Sequence, residues 1–184
     1  MRRFVSRAGE KLDHALDAFP FDASALVCAD FGSNTGGFTD CLLQRGAAKV
    51  YAIDTGYGVL EWKLRKDPRV VVMERTNAMH VTLPEPIDLV VIDVAWTRQR
   101  NILASARRAL EPNGSVITLI KPHYEADSAR LIRGVLPEDA VEEVVESVKR
   151  DIEGCGFAVA QTVRSPILGA KGNVEVLALL KATS

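Results

Sequence analysis

Four charged residues stand at the ends of apolar segments in this sequence: Asp30, Asp54, Asp93 and Lys121. If those segments are parallel strands, their carboxyl ends meet at one edge of a sheet, and the four side chains share one site. A carboxylate at such an edge can accept hydrogen bonds from both hydroxyls of a ribose. A buried lysine charge needs water or a carboxylate partner. The pattern therefore predicts a nucleotide-like ligand beside an acid–lysine pair.

A glycine-rich loop follows the first apolar segment, 25–31. The segment breaks at Gly32, passes through a polar turn to Gly36 and Gly37, and continues from Phe38 as a helical pattern. The glycine spacing differs from the dinucleotide fingerprint, and no phosphate-loop lysine follows it. The backbone amides of such a loop can bind a nucleotide-like ligand, although an ordinary glycine-rich turn explains the loop alone equally well.

Two polar residues at later strand ends narrow the expected ligand. Asp54 ends the second apolar segment, 49–53, where a carboxylate can bind a ribose. Asn77 follows a third segment, 69–73, where its side chain could border a purine. A turn-forming role explains Asn77 equally well. The loop and Asp54 together indicate a nucleotide-like ligand more specifically than either feature alone.

Composition excludes several classes of protein. The 184 residues suit one domain over 1–184, with 47% hydrophobic and 26% charged residues, as in globular proteins. Three cysteines without metal-ligand spacing favour reduced thiols and no metal site, and no apolar run reaches the roughly 20 residues of a membrane span. We therefore expect a cytoplasmic protein. Because the net charge is only −1, a polyanion would have to bind a local patch.

Strands and helices alternate along most of the chain. The spacing of apolar residues predicts strands over 25–31, 49–53, 69–73, 87–92, 115–120, 157–163 and 174–180, and helices over 8–19, 38–43, 59–66, 98–110 and 137–152. We expect Ser6 and Thr97 to cap the helices over 8–19 and 98–110, and Pro20 to end the first of them. Pro137 is expected at the first position of the last helix. Residues 112–114 are expected to form a turn, and 123–136 a mobile loop. The last two strands form an antiparallel pair. This order is typical of the class I methyltransferase fold rather than of a dehydrogenase.

Seven stretches of the sequence closely resemble the FtsJ-like RNA ribose 2′-O-methyltransferases, and specifically their TlyA (haemolysin A-like) branch. They are residues 5–12, 30–41, 51–58, 74–78, 90–94, 119–122 and 171–175. The resemblance runs in order over nearly the whole chain. It implies an α/β, Rossmann-like fold with a seven-stranded, mostly parallel sheet and helices on both faces.

The resemblance also implies S-adenosyl-L-methionine as cofactor and a catalytic tetrad. By matching motifs, the tetrad comprises Lys11, Asp93, Lys121 and Glu175. Lys11 alone looks like a surface lysine, but the resemblance places the helix of residues 1–20 against the catalytic edge. The cofactor-binding residues it implies are Asp30, Gly32, Ser33, Gly36, Gly37 and Phe38 near the methionine end, Asp54 at the ribose, Asn77 at the adenine, and Asp93.

The chemistry of methyl transfer fits this tetrad. A ribose 2′-hydroxyl is a poor nucleophile at neutral pH, so the reaction benefits from a positioned base and an aligned methyl group. We predict Lys121 as that base, because a lysine near another cation such as Lys11 loses its proton more readily. Asp93 and Glu175 would orient the two lysines. Their negative charges, however, raise the pKa of a neighbouring lysine, whereas a neighbouring cation lowers it.

The sequence departs from its relatives in four places, one of which is the basic glycine-rich loop after the lysine strand, which here reads Leu-Ile-Arg-Gly over 131–134. TlyA-type proteins typically carry a small RNA-binding domain before the catalytic domain, and this chain starts directly at the methyltransferase. Residues 94–98 read Val-Ala-Trp-Thr-Arg where the family usually has Val-Ser-Phe-Ile-Ser, and Asn34 replaces the usual Ser. We expect a ribosomal RNA 2′-O-methyltransferase. The alternatives are a methyltransferase of another RNA or of a small molecule, and a cofactor-binding RNA chaperone or assembly factor with little turnover.

Overall fold

The computed structural model describes residues 3–19 and 21–183, so the predicted helix end at Pro20 lies outside the described residues. The helices are α1 Ala8–Ala18, α2 Gly37–Gln44, α3 Trp62–Arg65, α4 Gln99–Ala109, α5 Pro122–Glu125 and α6 Glu138–Gly154. The strands are β1 Val27–Phe31, β2 Lys49–Ile53, β3 Val70–Met73, β4 Ile87–Ile92, β5 Leu110–Ile120, β6 Phe157–Arg164 and β7 Val176–Ala182. Among these described residues, no helix combines the length and apolar character needed to cross a membrane.

The strands form one sheet in the order β3-β2-β1-β4-β5-β7-β6. Strands β1 to β5 run parallel, and β7 pairs antiparallel with both β5 and β6. Phe31 pairs with Ile53 of β2 and with Ile92 of β4, so these three strands end in step. The register brings Asp54 and Asp93 to the same edge of the sheet. The predicted seven-stranded, mostly parallel sheet is confirmed.

Helices cover both faces of the sheet, which is why its central strands are apolar on both sides. On one face α4 and α6 pack through residues such as Ile102 and Val148. On the other face α1 and α2 pack through Leu12, Phe38 and Leu42. Burying one such side chain contributes about 1.5–3 kcal/mol, so this packing fixes the helices that carry the site residues.

Three predicted helix starts are wrong. Arg7, not Ser6, occupies the position before α1, without a side-chain capping bond. The hydroxyl of Thr97 does not cap α4, whose first backbone amide instead donates to Glu125 at 2.8 Å. Pro137 lies one position before α6 rather than at its first position. In α4 a carboxylate distant in sequence provides the cap, so no local motif could reveal it.

Three predicted segment boundaries also differ from the structure. Residues 112–114 belong to β5, although the pairing of β5 with β4 shifts register near them. The segment 123–136 contains the end of α5 and a 3₁₀ turn at Ser128–Arg130. The predicted helix over 59–66 shortens to α3, because Glu61 caps it by accepting from the amide of Trp62. Such single turns are too short to show a helical period.

Candidate active site

A cavity of about 510 Å³ opens at the carboxyl ends of β1, β2 and β4, within the size range of small-molecule sites. Seven of the predicted site residues line it: Gly32, Ser33, Phe38, Asp54, Asn77, Asp93 and Lys121. Asp30, Gly36, Gly37, Lys11 and Glu175 are not among the residues that line it. The structure therefore brings the expected ribose, adenine and base residues to one cavity and leaves five others around it.

Asp54 is positioned by two backbone amides. One carboxylate oxygen accepts from Asn34 N at 2.9 Å, and the other accepts from Gly56 N at 2.7 Å. These bonds join the glycine-rich loop to the loop after β2, so Asp54 shapes the cavity that it lines. Asn77 accepts from Met79 N at 2.9 Å. Its turn-forming role is thus present, and its side chain also lies at the cavity.

The glycines of the loop are required for different structural reasons. Gly32 has φ +87°, and a Cβ there would lie 2.6 Å from the Asp93 carbonyl oxygen, so only glycine lets the two strand ends meet. A Cβ at Gly36 would overlap Leu64 of α3, and one at Gly37 would overlap Ser6. Gly36 and Gly37 therefore allow α2 to pack closely against its neighbours.

Asp30 anchors α2 to β1 through Thr39. Its Oδ2 accepts from the backbone amide of Thr39 at 2.9 Å and from the Thr39 hydroxyl at 2.7 Å. Its Oδ1 is buried with no hydrogen-bond partner among residues 3–19 and 21–183. Complete burial raises the pKa of Asp30 to about 7; the Thr39 bonds oppose this, and the charges of Asp93 and Asp54 add to it.

Asp93 and Lys121 form an ion pair at the cavity wall. Lys121 Nζ lies 2.6 Å from Asp93 Oδ1 and donates to the Val94 carbonyl at 3.1 Å. These bonds satisfy the lysine charge at the end of β5, as the sequence predicts. Both side chains keep access to the cavity, so a substrate entering it can reach Nζ.

Lys11 and Glu175 form a second ion pair, which joins α1 to the start of β7. The two residues are 164 positions apart in sequence, and both are buried. The backbone at Gly169 lies against the carboxylate, because a Cβ at Gly169 would overlap Glu175. The structure thus pairs the four predicted tetrad residues two by two.

His123 is a buried side chain near the two lysines of the proposed tetrad, and it was not among the predicted site residues. It is buried in α5, and its Nδ1 has no hydrogen-bond partner within the described part of the chain. Its pKa is lowered by burial first, then by the charges of Lys121 and Lys11. Both ammonium groups are therefore near enough to act on one imidazole. Its position two residues after Lys121 was the only available signal.

An aromatic pair at the cavity mouth was also missed. Trp96 lines the cavity, is 84% exposed, and has a left-handed backbone with φ +60°. Its ring centroid lies 4.8 Å from that of Tyr124, and Lys121 Nζ lies 5.8 Å from the Tyr124 centroid. A large exposed aromatic side chain thus contacts Tyr124, whose ring in turn lies near Lys121. The departure from the family pattern at 94–98 pointed to this segment but not to its exposure.

The strand order, with β7 antiparallel and a cavity at the carboxyl edge, defines a class I methyltransferase fold. The sequence profile of the FtsJ-like methyltransferases matches residues 4–182. The chain belongs to the FtsJ-like methyltransferase family, which confirms the family and the fold expected from the sequence.

Individual relatives agree with this membership. The chain is 40% identical to Hemolysin A of Brachyspira hyodysenteriae, covering 96% of this chain and 76% of that protein. It is 39% identical to the 16S/23S rRNA (cytidine-2′-O)-methyltransferase TlyA of Mycobacterium tuberculosis, covering 98% and 69% respectively. A solved structure of a candidate hemolysin from Streptococcus thermophilus superimposes with a TM-score of 0.96 at 38% identity, covering 100% of this chain and 69% of that one.

Proposed function

We propose that this protein transfers a methyl group from S-adenosylmethionine to a ribose 2′-hydroxyl of ribosomal RNA. Family membership and the TlyA relative, named as an rRNA (cytidine-2′-O)-methyltransferase, support this reaction. The observation that carries it is the Asp93–Lys121 ion pair, which places an amine on the wall of a nucleotide-sized cavity. Three free cysteines support a reducing, cytoplasmic location.

The cavity fits an adenosyl cofactor. All five proposed contacts line this cavity: we assign Asp54 to the ribose hydroxyls, Asn77 to the adenine edge, and Gly32, Ser33 and Phe38 to the methionine end. Asp30, Gly36 and Gly37 support this cradle from behind it. When bound, the cofactor supplies a methyl group activated by its sulfonium.

Lys121 is the residue that meets the RNA hydroxyl. An ammonium cannot accept a proton, so the ion-paired Nζ must first release one to water through the cavity. The neutral Nζ then positions the 2′-hydroxyl and receives its proton, a role that typically accelerates a reaction about 10²–10⁴-fold. Asp93 holds Nζ at the cavity wall. The Lys11–Glu175 pair completes the proposed tetrad from the neighbouring buried position and fixes α1 against the catalytic edge of a single domain over 1–184.

Trp96 provides a surface on which the target base can stack. A base turned out of its RNA structure loses its stacking partners, and an exposed aromatic side chain replaces them. Trp96 contacts Tyr124, and the Tyr124 ring lies 5.8 Å from Lys121 Nζ, so a base stacked on Trp96 brings its own ribose toward the amine.

The test is to incubate the protein with labelled S-adenosylmethionine and ribosomal RNA from cells lacking the protein, and then to digest the RNA to nucleosides. We expect label in 2′-O-methyl nucleosides. Label found only on a base would exclude ribose methylation. The matched control is the Lys121→Met variant, which retains the cavity and lacks the amine.

A further inference from the structure

Two short turns beside the Lys11–Glu175 pair share an unusual backbone. The turn at 132–135 is closed by hydrogen bonds of 2.8 and 3.0 Å between Ile132 and Val135. Its central residues, Arg133 and Gly134, have φ +53° and +82°. In the second turn Lys171 and Gly172 have φ +57° and +86°. Each turn therefore places a cation in a left-handed conformation, followed by a left-handed glycine.

The two turns form one surface because Asn173 joins them. This buried side chain donates to the carbonyl oxygens of Gly134 and Ala170, both at 3.0 Å, and accepts from Leu136 N at 3.0 Å. The Lys171 ammonium lies across the first turn, 2.9 Å from the point where a Cβ on Gly134 would stand. We name residues 133, 134, 171 and 172 the basic rim.

The basic rim is continuous with the backbone that covers Glu175. Gly169 N donates to Asn173 O at 2.8 Å, and Gly169 itself lies against the Glu175 carboxylate. On the other side of that loop, Arg7 donates to the Leu168 carbonyl at 3.0 Å. A polyanion bound at the rim would therefore pass beside the proposed tetrad.

The two rim cations are exposed, and neither forms an ion pair with any residue in 3–19 or 21–183. Two neighbouring arginines are neutralised: Arg130 by Glu143 at 2.7 Å and Arg164 by Glu138 at 2.6 Å. A left-handed residue is accommodated with least strain by glycine or asparagine, so arginine and lysine add strain without forming an internal ion pair. Strain of this kind is typical of functional sites.

We propose that the basic rim binds the phosphate backbone of the RNA substrate and so holds the target nucleotide over the cavity. This inference rests on the proposed function, because it assumes RNA as the substrate. Arg133 and Lys171 each contact one phosphate. Their separation from the cavity residues means that they contribute to RNA affinity and not to cofactor affinity.

The test uses Arg133→Asn, Lys171→Asn and the double variant, because asparagine accepts the left-handed conformation and removes only the charge. The affinity for deproteinised ribosomal RNA is measured by filter binding between about 50 and 300 mM salt. Each phosphate contact contributes roughly 0.7–0.9 to the slope of log affinity against log salt, so the double variant should lose about 1.4–1.8 of that slope. We expect about 10-fold weaker binding at ~0.1 M salt. Cofactor affinity should remain unchanged, and the thermal midpoint should not fall, because asparagine adopts the left-handed conformation with less strain.

Arg150→Gln is the matched control, because it removes an exposed cation of α6 that forms no ion pair among the described residues. If the double variant retains the wild-type slope and affinity, the basic rim does not bind RNA; this is also the result expected if the rim contacts a protein instead. The binding assay needs no turnover, so RNA binding that depends on the rim without ribose methylation would overturn the proposed reaction alone. A wild-type protein that binds no RNA would overturn both.

Discussion

The two ion pairs of the proposed tetrad differ in whether a substrate in the cavity can reach them. Asp93 and Lys121 have side chains 18% and 14% exposed and line the cavity, whereas those of Glu175 and Lys11 are 3% and 11% exposed and do not line it. The first pair joins the ends of two neighbouring strands. The second joins opposite ends of the chain. We therefore propose that Lys121, which lines the cavity, touches the reacting atoms, while Lys11 and Glu175 act through position and charge.

This difference has an energetic consequence. Breaking a buried ion pair by removing one partner costs about 3–5 kcal/mol, because the remaining charge stays buried without compensation. A charge that can reach water in a cavity is partly solvated when its partner is removed, so the cost is smaller. Substitutions in the two pairs should therefore separate activity from stability.

The largest expected effect is the loss of methylation activity in the Lys121→Met variant. Removing the proposed base should lower the single-turnover rate of RNA methylation about 10²–10⁴-fold. Asp93 can then be solvated through the cavity, so the free energy of unfolding should change much less than for the buried pair. Binding of S-adenosylmethionine, measured by calorimetry, serves as the control for an intact cavity. A variant that retained a tenth or more of the wild-type rate would exclude Lys121 as the base.

The second-largest expected effect is a loss of stability in variants that break the Lys11–Glu175 pair. Lys11→Met or Glu175→Gln alone should lower the free energy of unfolding by about 3–5 kcal/mol in urea titrations. The double variant Lys11→Met/Glu175→Leu leaves no unpaired charge and should recover most of that loss. Its methylation rate should nevertheless stay about 100-fold low, because the charges that position the reacting groups are gone. If activity returned together with stability, the pair would serve only to hold α1.

The two pairs also differ in how far the sequence could predict them. Asp93 and Lys121 each follow a buried strand, so period and strand order were enough to bring them together. Lys11 and Glu175 look like surface charges in the sequence, because nothing local shows that α1 covers the start of β7. Only the family resemblance named them. Their burial depends on contacts between residues 164 positions apart.

The same distinction holds for the fold. Strands β2 and β4 were predicted with their observed bounds, because a buried parallel strand reads as a continuous apolar run. The cap of α4 by Glu125 and the burial of His123 were not predicted, since both depend on α5, a helix of four residues. A single helical turn is too short to show a period of apolar residues in the sequence, so its contacts can be seen only in the structure.

The smallest expected effect is a pH dependence of stability that arises from His123. Burial, Lys121 and Lys11 lower its pKa below the ordinary 6.5, so the unfolded chain takes up a proton at this residue at a higher pH than the folded chain does. The His123 contribution is therefore complete above pH 6.5 and is lost as the pH falls through the lowered folded pKa. In urea titrations between pH 5 and 8, His123→Gln should gain stability relative to the wild type as the pH falls.

The same titrations compare the two pairs directly. Lys121 lowers the His123 pKa more than Lys11 does, so Lys121→Met should weaken the acid sensitivity more than Lys11→Met. Neither should abolish it, because burial is the largest cause. Equal weakening by both substitutions would mean that the imidazole lies midway between the two ammonium groups. A pH dependence that persists unchanged in His123→Gln would mean that other groups control it, and Asp30 is not among them, because its raised pKa makes the folded state more stable as the pH falls.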